Sequence, residues 1–223
     1  MSSTAQPLRL PHPAASGQRT EPPPVRPAEV VGSDHVVCLT FDDGPHPVHT
    51  PRLLDILAAH RVRAVFFLQG DRVIEHPEVV RRIAAAGHAL GNHGMHHDNM
   101  SAWTAGRIAS DLLETNAVVR HAVPQARVPY FRAPYGAWGQ TPTVATALGM
   151  RPMGWRLEVA DWEPPGTDEL LRRLTEGVVP GAVVLLHDGG GDRSQTVDAV
   201  DRAIPVLRAS GWRFTLPDDR LAS

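Results

Sequence analysis

The chain contains no lysine: all 22 of its basic residues are arginine, set against 24 acidic ones. With a formal net charge of -2 and 12 histidines counted neutral, it offers no basic field for nucleic acid and no polybasic patch for a membrane. The missing lysine, with abundant Ala, Gly and Pro, reads as coding bias and says little about mechanism. A single cysteine, Cys38, excludes an internal disulfide, and its apolar surroundings make it a small core residue. No stretch is long enough to span a bilayer, and no apolar segment follows a charged start as in a secretory signal. The expected location is therefore the cytoplasm, or outside the cell if the start codon is misassigned. There is no internal repeat and no phosphate-binding loop; Gly189-Gly190-Gly191 follows an apolar run but lacks the lysine and spacing of a phosphate cradle.

What is present is enough for one core of ordinary size: 223 residues, 42% of them hydrophobic and 5% aromatic. Seven of the 21 prolines fall before residue 34, among Ser, Gln and Arg with hardly an apolar run between them. Residues 1–34 thus read as a Pro-rich disordered tail and 35–223 as the single folded domain. From residue 35 onward strand and helix signals alternate. Apolar runs predict strands over 36–39, 64–68, 88–91, 130–133, 152–157, 182–186 and 212–216. Helices are predicted from Thr50-Pro51 to Arg61, from His76-Pro77 to Gly87, over 104–121, and near 142–148, 167–177 and 195–209. Such alternation implies a parallel sheet covered by helices and wound by right-handed crossovers into a barrel or a doubly wound sheet. Chemistry then belongs at the C-terminal strand ends.

Those ends carry the reactive residues. Thr40-Phe41-Asp42-Asp43-Gly44-Pro45 finishes a buried strand with two adjacent carboxylates, a costly arrangement unless a cation pairs with them. If one ligates a metal, the other can act as a base beside it, and the Gly-Pro turn lets both reach one centre. Gly91-Asn92-His93-Gly94-Met95-His96-His97 holds three histidines in five positions; the four-residue interval places His93 and His97 on one side of a helical turn, with His96 out of phase. Two imidazoles and Asp43 make a three-ligand site suited to zinc or a similar divalent first-row ion. Arg132, ending another strand, could hold a carboxylate bidentately, and Pro134 restricts the backbone so that the Tyr135 amide could face a developing oxyanion. Glu158 and Asp161 precede Trp162, and His187 stands just past an apolar strand.

Thr-Phe-Asp-Asp-Gly, His-x-x-x-His after Gly-Asn, Arg-x-Pro-Tyr, Asp-Trp and Leu-His-Asp, in this order, resemble the five motifs of the polysaccharide deacetylases, a carbohydrate esterase family. The resemblance covers residues 35 to about 217. It implies a distorted (β/α) barrel of about seven parallel strands holding one divalent metal ion, usually Zn2+. It further implies Asp42 as general base, Asp43, His93 and His97 as metal ligands, and the Tyr135 amide as oxyanion donor. His187 would protonate the leaving amine, Arg132 and Asp161 would tune Asp42 and His187, and Trp162 would line the sugar pocket. The chain departs from the pattern at Gly94, where a serine or threonine usually braces the loop and His96 is the nearby substitute, at Glu158 in place of aspartate, and at Val184 in place of leucine. The expected activity is removal of N-acetyl groups from an amino sugar in a chitin- or peptidoglycan-like oligosaccharide or polysaccharide. The alternatives are an O-acetyl esterase acting on acetylated xylan and a non-catalytic carbohydrate-binding module on the same scaffold. Partners would be carbohydrate alone, with no nucleic acid or membrane, and the chain a monomer.

Overall fold

A computed structural model describes residues 28–29 and 35–217. The chain runs β1 (Val36–Gly44), α1 (His49–Ala59), β2 (Val65–Leu68), α2 (Gly70–Glu75), α3 (Pro77–Ala85), β3 (Ala89–Asn92), α4 (Ala105–Ala122), β4 (Tyr130–Phe131), α5 (Thr141–Ala147), β5 (Arg151–Pro152), β6 (Leu157–Glu158), α6 (Thr167–Gly177), β7 (Val183–His187), α7 (Ser194–Ala209) and β8 (Arg213–Phe214). Every strand pairing is parallel, and the sheet order is β5-β4-β3-β2-β1-β7-β6, with β8 beside the first two residues of β1. The sheet curls into a half-barrel of seven strands with the seven helices packed around it, a single α/β domain of the kind expected. No helix of the described residues is long and apolar enough to cross a membrane.

The alternation of β1 explains why chemistry collects inside the curl. Successive side chains of a strand point to opposite faces. Val37, Leu39 and Phe41 join the large core beneath the helices, with Leu53 and Leu57 of α1 and Val197, Val200 and Ile204 of α7. Val36 and Cys38 face the other way, into a smaller cluster with Val65, Phe67, Tyr130, Met153 and Val183. Thr40 and Asp42 continue that inward row, so the interior passes from apolar at the N-terminal end of β1 to polar at its C-terminal end.

Three local expectations change. The run 152–157 is not one strand but β5 and β6, because the carbonyls of Met153 and Gly154 are taken by the Arg132 guanidinium rather than by a neighbouring strand. Gly70, just past the predicted strand 64–68, opens helix α2, for which no helix was predicted; a Cβ there would lie 2.2 Å from Met95 Sδ, so glycine serves close packing. Thr50, the predicted helix start, is inside α1, which opens at His49: its hydroxyl accepts from the His46 amide at 2.8 Å and donates to Asp188 Oδ2. The proposed tail lies outside the described residues except Ala28 and Glu29, which pair with the sheet.

Candidate active site

The two aspartates of β1 reach one cavity through an irregularity in the strand. The β1–β2 register shifts between Asp42 and Gly44, and Asp43 adopts φ 69°, so the carboxylate that regular pleating would send outward turns into the curl. A β-bulge, not the Gly-Pro turn after it, brings the pair together. The backbone of Gly190 closes over Asp43: a Cβ on that glycine would lie 2.5 Å from Asp43 Oδ2.

His93 and His97 also converge, but not on a helix. The segment after β3 is an open loop in which Gly94 has φ 77° and His97 φ 58°. The carbonyls of Gly94 and Met95 accept from the first amides of α2, those of Gly70 and Asp71, at 3.0 Å each, and so cannot form a helical turn. The brace that Gly94 lacks comes from elsewhere. Asn92 Oδ1 accepts from the Gly94 amide at 2.9 Å, and Asp111 Oδ1 of α4 accepts from the Met95 amide at 3.0 Å. Asn92 is itself tied to Leu112 O and to Asn116 of α4. His96 does not substitute for the brace; it points away to Asp71, whose carboxylate raises its pKa.

Asp43, His93 and His97 each present a ligand atom within 4.8 Å of the other two, and theirs is the one such group of three found among the described residues. Asp43 Oδ1 lies 3.3 Å from His93 Nε2 and 3.0 Å from His97 Nε2, yet this buried oxygen takes no hydrogen bond of acceptable geometry. The His93 Nδ1–H donates to the Arg132 carbonyl at 2.8 Å, which leaves the Nε2 lone pair facing Asp43. An orphaned carboxylate oxygen between two imidazole nitrogens suits a divalent cation, and these residues fit one. Burial alone would raise the Asp43 carboxyl; the two imidazoles outweigh it and hold the group well below the usual carboxylate range.

Two charge pairs flank this centre. Arg132, fully buried, donates through Nη1 to Asp42 Oδ1 at 2.7 Å and to Thr40 Oγ1 at 2.8 Å, through Nε to Met153 O at 3.0 Å and through Nη2 to Gly154 O at 2.8 Å. The grip on Asp42 is therefore single, not bidentate, since the other donors anchor the guanidinium to the barrel, where it also stacks 4.2 Å over the Phe67 ring. Burial pushes the Arg132 pKa down, opposed by Asp42. In the second pair, Asp161 Oδ1 accepts from His187 Nδ1 at 2.7 Å, while its Oδ2 accepts from the His187 amide and the Thr196 hydroxyl at 2.9 Å each. Burial lowers the His187 pKa, but Asp161 outweighs it and the net direction is upward. Which acid pairs with which base, left open by the sequence, is thus Asp42 with Arg132 and Asp161 with His187.

Asp42, His187 and the three convergent side chains line a cavity of about 580 Å³ walled by Tyr135, Trp155 and Trp162, with Arg132 and Asp161 behind Asp42 and His187. Trp162 stands edge-on to His187 at 5.5 Å between ring centres, and Tyr135 edge-on to His97 at 4.4 Å. Tyr135 has φ 59°, and its amide makes no hydrogen bond within the described residues. Residues missed from the sequence include Trp155, Arg193 and Thr196. Buried Arg193 joins two of the site loops by donating to Gly189 O, Gly190 O and Asp161 O. The signal for Arg193 and Thr196 was faint: polar residues opening α7 just after the glycines that follow His187.

Comparison with known proteins now decides the family. Residues 29–153 match the model of the polysaccharide deacetylase family. The chain is 40% identical over 187 residues to a chitooligosaccharide deacetylase of Sinorhizobium fredii, covering 79% of this chain and 87% of that one. This chain belongs to the polysaccharide deacetylase family. Among solved structures, a peptidoglycan N-acetylglucosamine deacetylase superposes with TM-score 0.80 at 32% identity, covering 84% of this chain and 88% of its own. A CE4 family pseudoenzyme from Bacillus anthracis superposes with TM-score 0.76 at 32% identity; the match covers 81% of this chain but only 63% of that longer one. A polysaccharide deacetylase fold can therefore exist without its activity, and the residues of the cavity must carry the functional argument.

Proposed function

We propose that this polysaccharide deacetylase hydrolyses the N-acetyl group of an amino sugar within a chitin- or peptidoglycan-like oligosaccharide or polysaccharide. The observation that carries the reading is the meeting, at one cavity, of the Asp43–His93–His97 donor set with Asp42, backed by buried Arg132, and with His187, backed by Asp161. Asp43, His93 and His97 would hold one divalent ion, most simply zinc, which when bound supplies Lewis acidity and eases deprotonation of water. Asp42 accepts that proton. Arg132 fixes Oδ1 of Asp42, so that Oδ2, which lies 3.8 Å from His93 Nε2, is the oxygen directed to the reaction. The Tyr135 amide donates to the oxyanion that develops on the acetyl carbonyl.

An amine is a poor leaving group until protonated, and His187 supplies that proton from Nε2 while Asp161 holds Nδ1–H and the imidazolium charge. Trp155 and Trp162 offer flat apolar walls to the faces of a pyranose. The test is elemental analysis alongside acetate release from N-acetylglucosamine oligomers and from acetylated xylan, before and after chelation. Bound zinc, with release from the oligomers abolished by the chelator and restored by zinc, is expected. Release from xylan alone would replace this reading with O-deacetylation, and release from neither would leave a carbohydrate-binding module.

A further inference from the structure

We infer that Ala28 and Glu29 form a strap that closes the seam of the half-barrel and, through it, positions Arg132 and Asp42. In the sheet order β5 and β6 are the two ends, and neither pairs with the other. An open edge leaves backbone N–H and C=O groups without partners. Here the seam is crossed by two residues that composition assigns to a tail. The Ala28 amide donates to Pro152 O at 2.9 Å, and Ala28 O accepts from the Gly154 amide at 2.9 Å, so that Ala28 pairs with Met153 as a parallel strand would. On the other side Glu29 O accepts from the Val183 amide, at the foot of β7, at 3.0 Å. The family match also begins at residue 29, inside the compositional tail.

The strap grips the same peptides that hold the arginine. Met153 O and Gly154 O accept from Arg132 Nε and Nη2, and Nη1 of the same planar group reaches Asp42. Residues 152–154 therefore lie between the strap on one side and the guanidinium on the other. A planar group held by several acceptors transmits a displacement of any of them, and a completely buried cation has no water to take over a lost carbonyl. The effect runs through backbone: the Glu29 side chain is exposed and only approaches Arg156, at 4.0 Å. Ala28 and Glu29 are thus positioning residues, and the inference rests on the reading of Asp42 as the base.

Chains lacking residues 1–26 and 1–34, and the substitutions Ala28→Pro and Glu29→Ala in the full chain, separate the possibilities. Proline at 28 removes the N–H given to Pro152. Amide hydrogen exchange at Gly154 and Val183, zinc affinity, kcat and KM are measured for each. Loss of residues 1–26 and Glu29→Ala are expected to change nothing. Loss of 1–34 is expected to abolish protection at both amides, Ala28→Pro to weaken it at Gly154, and each to lower kcat about tenfold while KM and zinc affinity hold. Unchanged protection at Gly154 and Val183 without residues 1–34 would overturn the strap. Lost protection with kcat unchanged would overturn its link to Arg132, as would a parallel loss of zinc affinity. Absence of acetate release from the intact chain would count against the deacetylase reading, and exchange alone would then decide the strap.

Discussion

Strand β3 is four residues long and has a buried histidine at each end, His88 before it and His93 after it. The two are the same side chain, both buried, and they are opposite in character. His88 Nδ1 accepts from the Ala64 amide at 3.1 Å, its ring meets Phe66 edge-on, and burial with Arg63 nearby pushes its pKa down to about 4. His93 suffers more complete burial, yet its pKa is raised, because Asp42 and Asp43 outweigh the desolvation. Burial of a titratable group is thus not what marks a site. Convergence with carboxylates does, and among the described residues His93 meets them at the C-terminal end of its strand. The same contrast separates the N-terminal end of the strands from the C-terminal end, where the candidate site lies, and substitutions at the two ends should have different consequences.

The largest effect is expected where the ligands converge. His93→Ala should empty the metal site and reduce acetate release to background, with little metal retained by elemental analysis. Gly190→Ala should do nearly the same without touching a ligand, because the new methyl would stand 2.5 Å from Asp43 Oδ2 at a residue whose φ is 70°. A Gly190→Ala protein with full metal and full turnover would show that Asp43 is not held by that backbone. Next in size is His187→Ala, which should keep its metal and lose about 10²- to 10⁴-fold in kcat, the usual contribution of a positioned general acid. If metal were lost along with turnover, the division into a ligand set and a proton-transfer pair would fail.

A smaller effect belongs to the loop that Gly94 leaves without a hydroxyl. Asp111→Ala deprives the Met95 amide of its acceptor and should weaken metal affinity about 10- to 100-fold, the range seen when groups supporting a ligand are removed. Asp111→Asn keeps an oxygen in place and should restore most of it. Equal losses in both variants, measured by competition with a chelator, would assign Asp111 a charge role in place of the bracing one.

Much of this arrangement was readable in the sequence because it depends on local pattern. The strand before Asp42-Asp43, the His93–His97 interval and the apolar run before His187 all lie within a few residues of the side chains they place. What could not be read depends on partners distant in the chain. The helical placement of His93 and His97 failed because Gly70 and Asp71 of α2 capture the loop carbonyls. The bidentate grip expected of Arg132 failed because its donors serve Thr40, Met153 and Gly154. Arg193 and Thr196 carried no motif of their own; their importance lies in reaching Asp161 more than 30 residues away.

The smallest effect on catalysis, and the sharpest test of the contrast between the two ends, is at His88. Its folded-state pKa of about 4 lies below the ordinary 6.5, so the unfolded chain binds more protons between those values. The stability tied to neutral His88 is therefore fully present above about pH 6.5 and drains away as the pH falls towards 4, amounting to roughly 3 kcal/mol across that window. His88→Asn offers an oxygen to the Ala64 amide but no titrating nitrogen. It should lower stability somewhat at pH 7 through the lost contact with Phe66, while flattening the fall from pH 6.5 to 4 by that amount relative to the parent chain. Acetate release and metal content at pH 7 should not change, since no carboxylate faces this ring within salt-bridge distance among the described residues and the cavity lies at the other end of the strand. Denaturant unfolding of both proteins at several pH values measures the difference in slope. If the slopes were the same, His88 would already be protonated in the folded state, and burial without a carboxylate would no longer explain why it differs from His93.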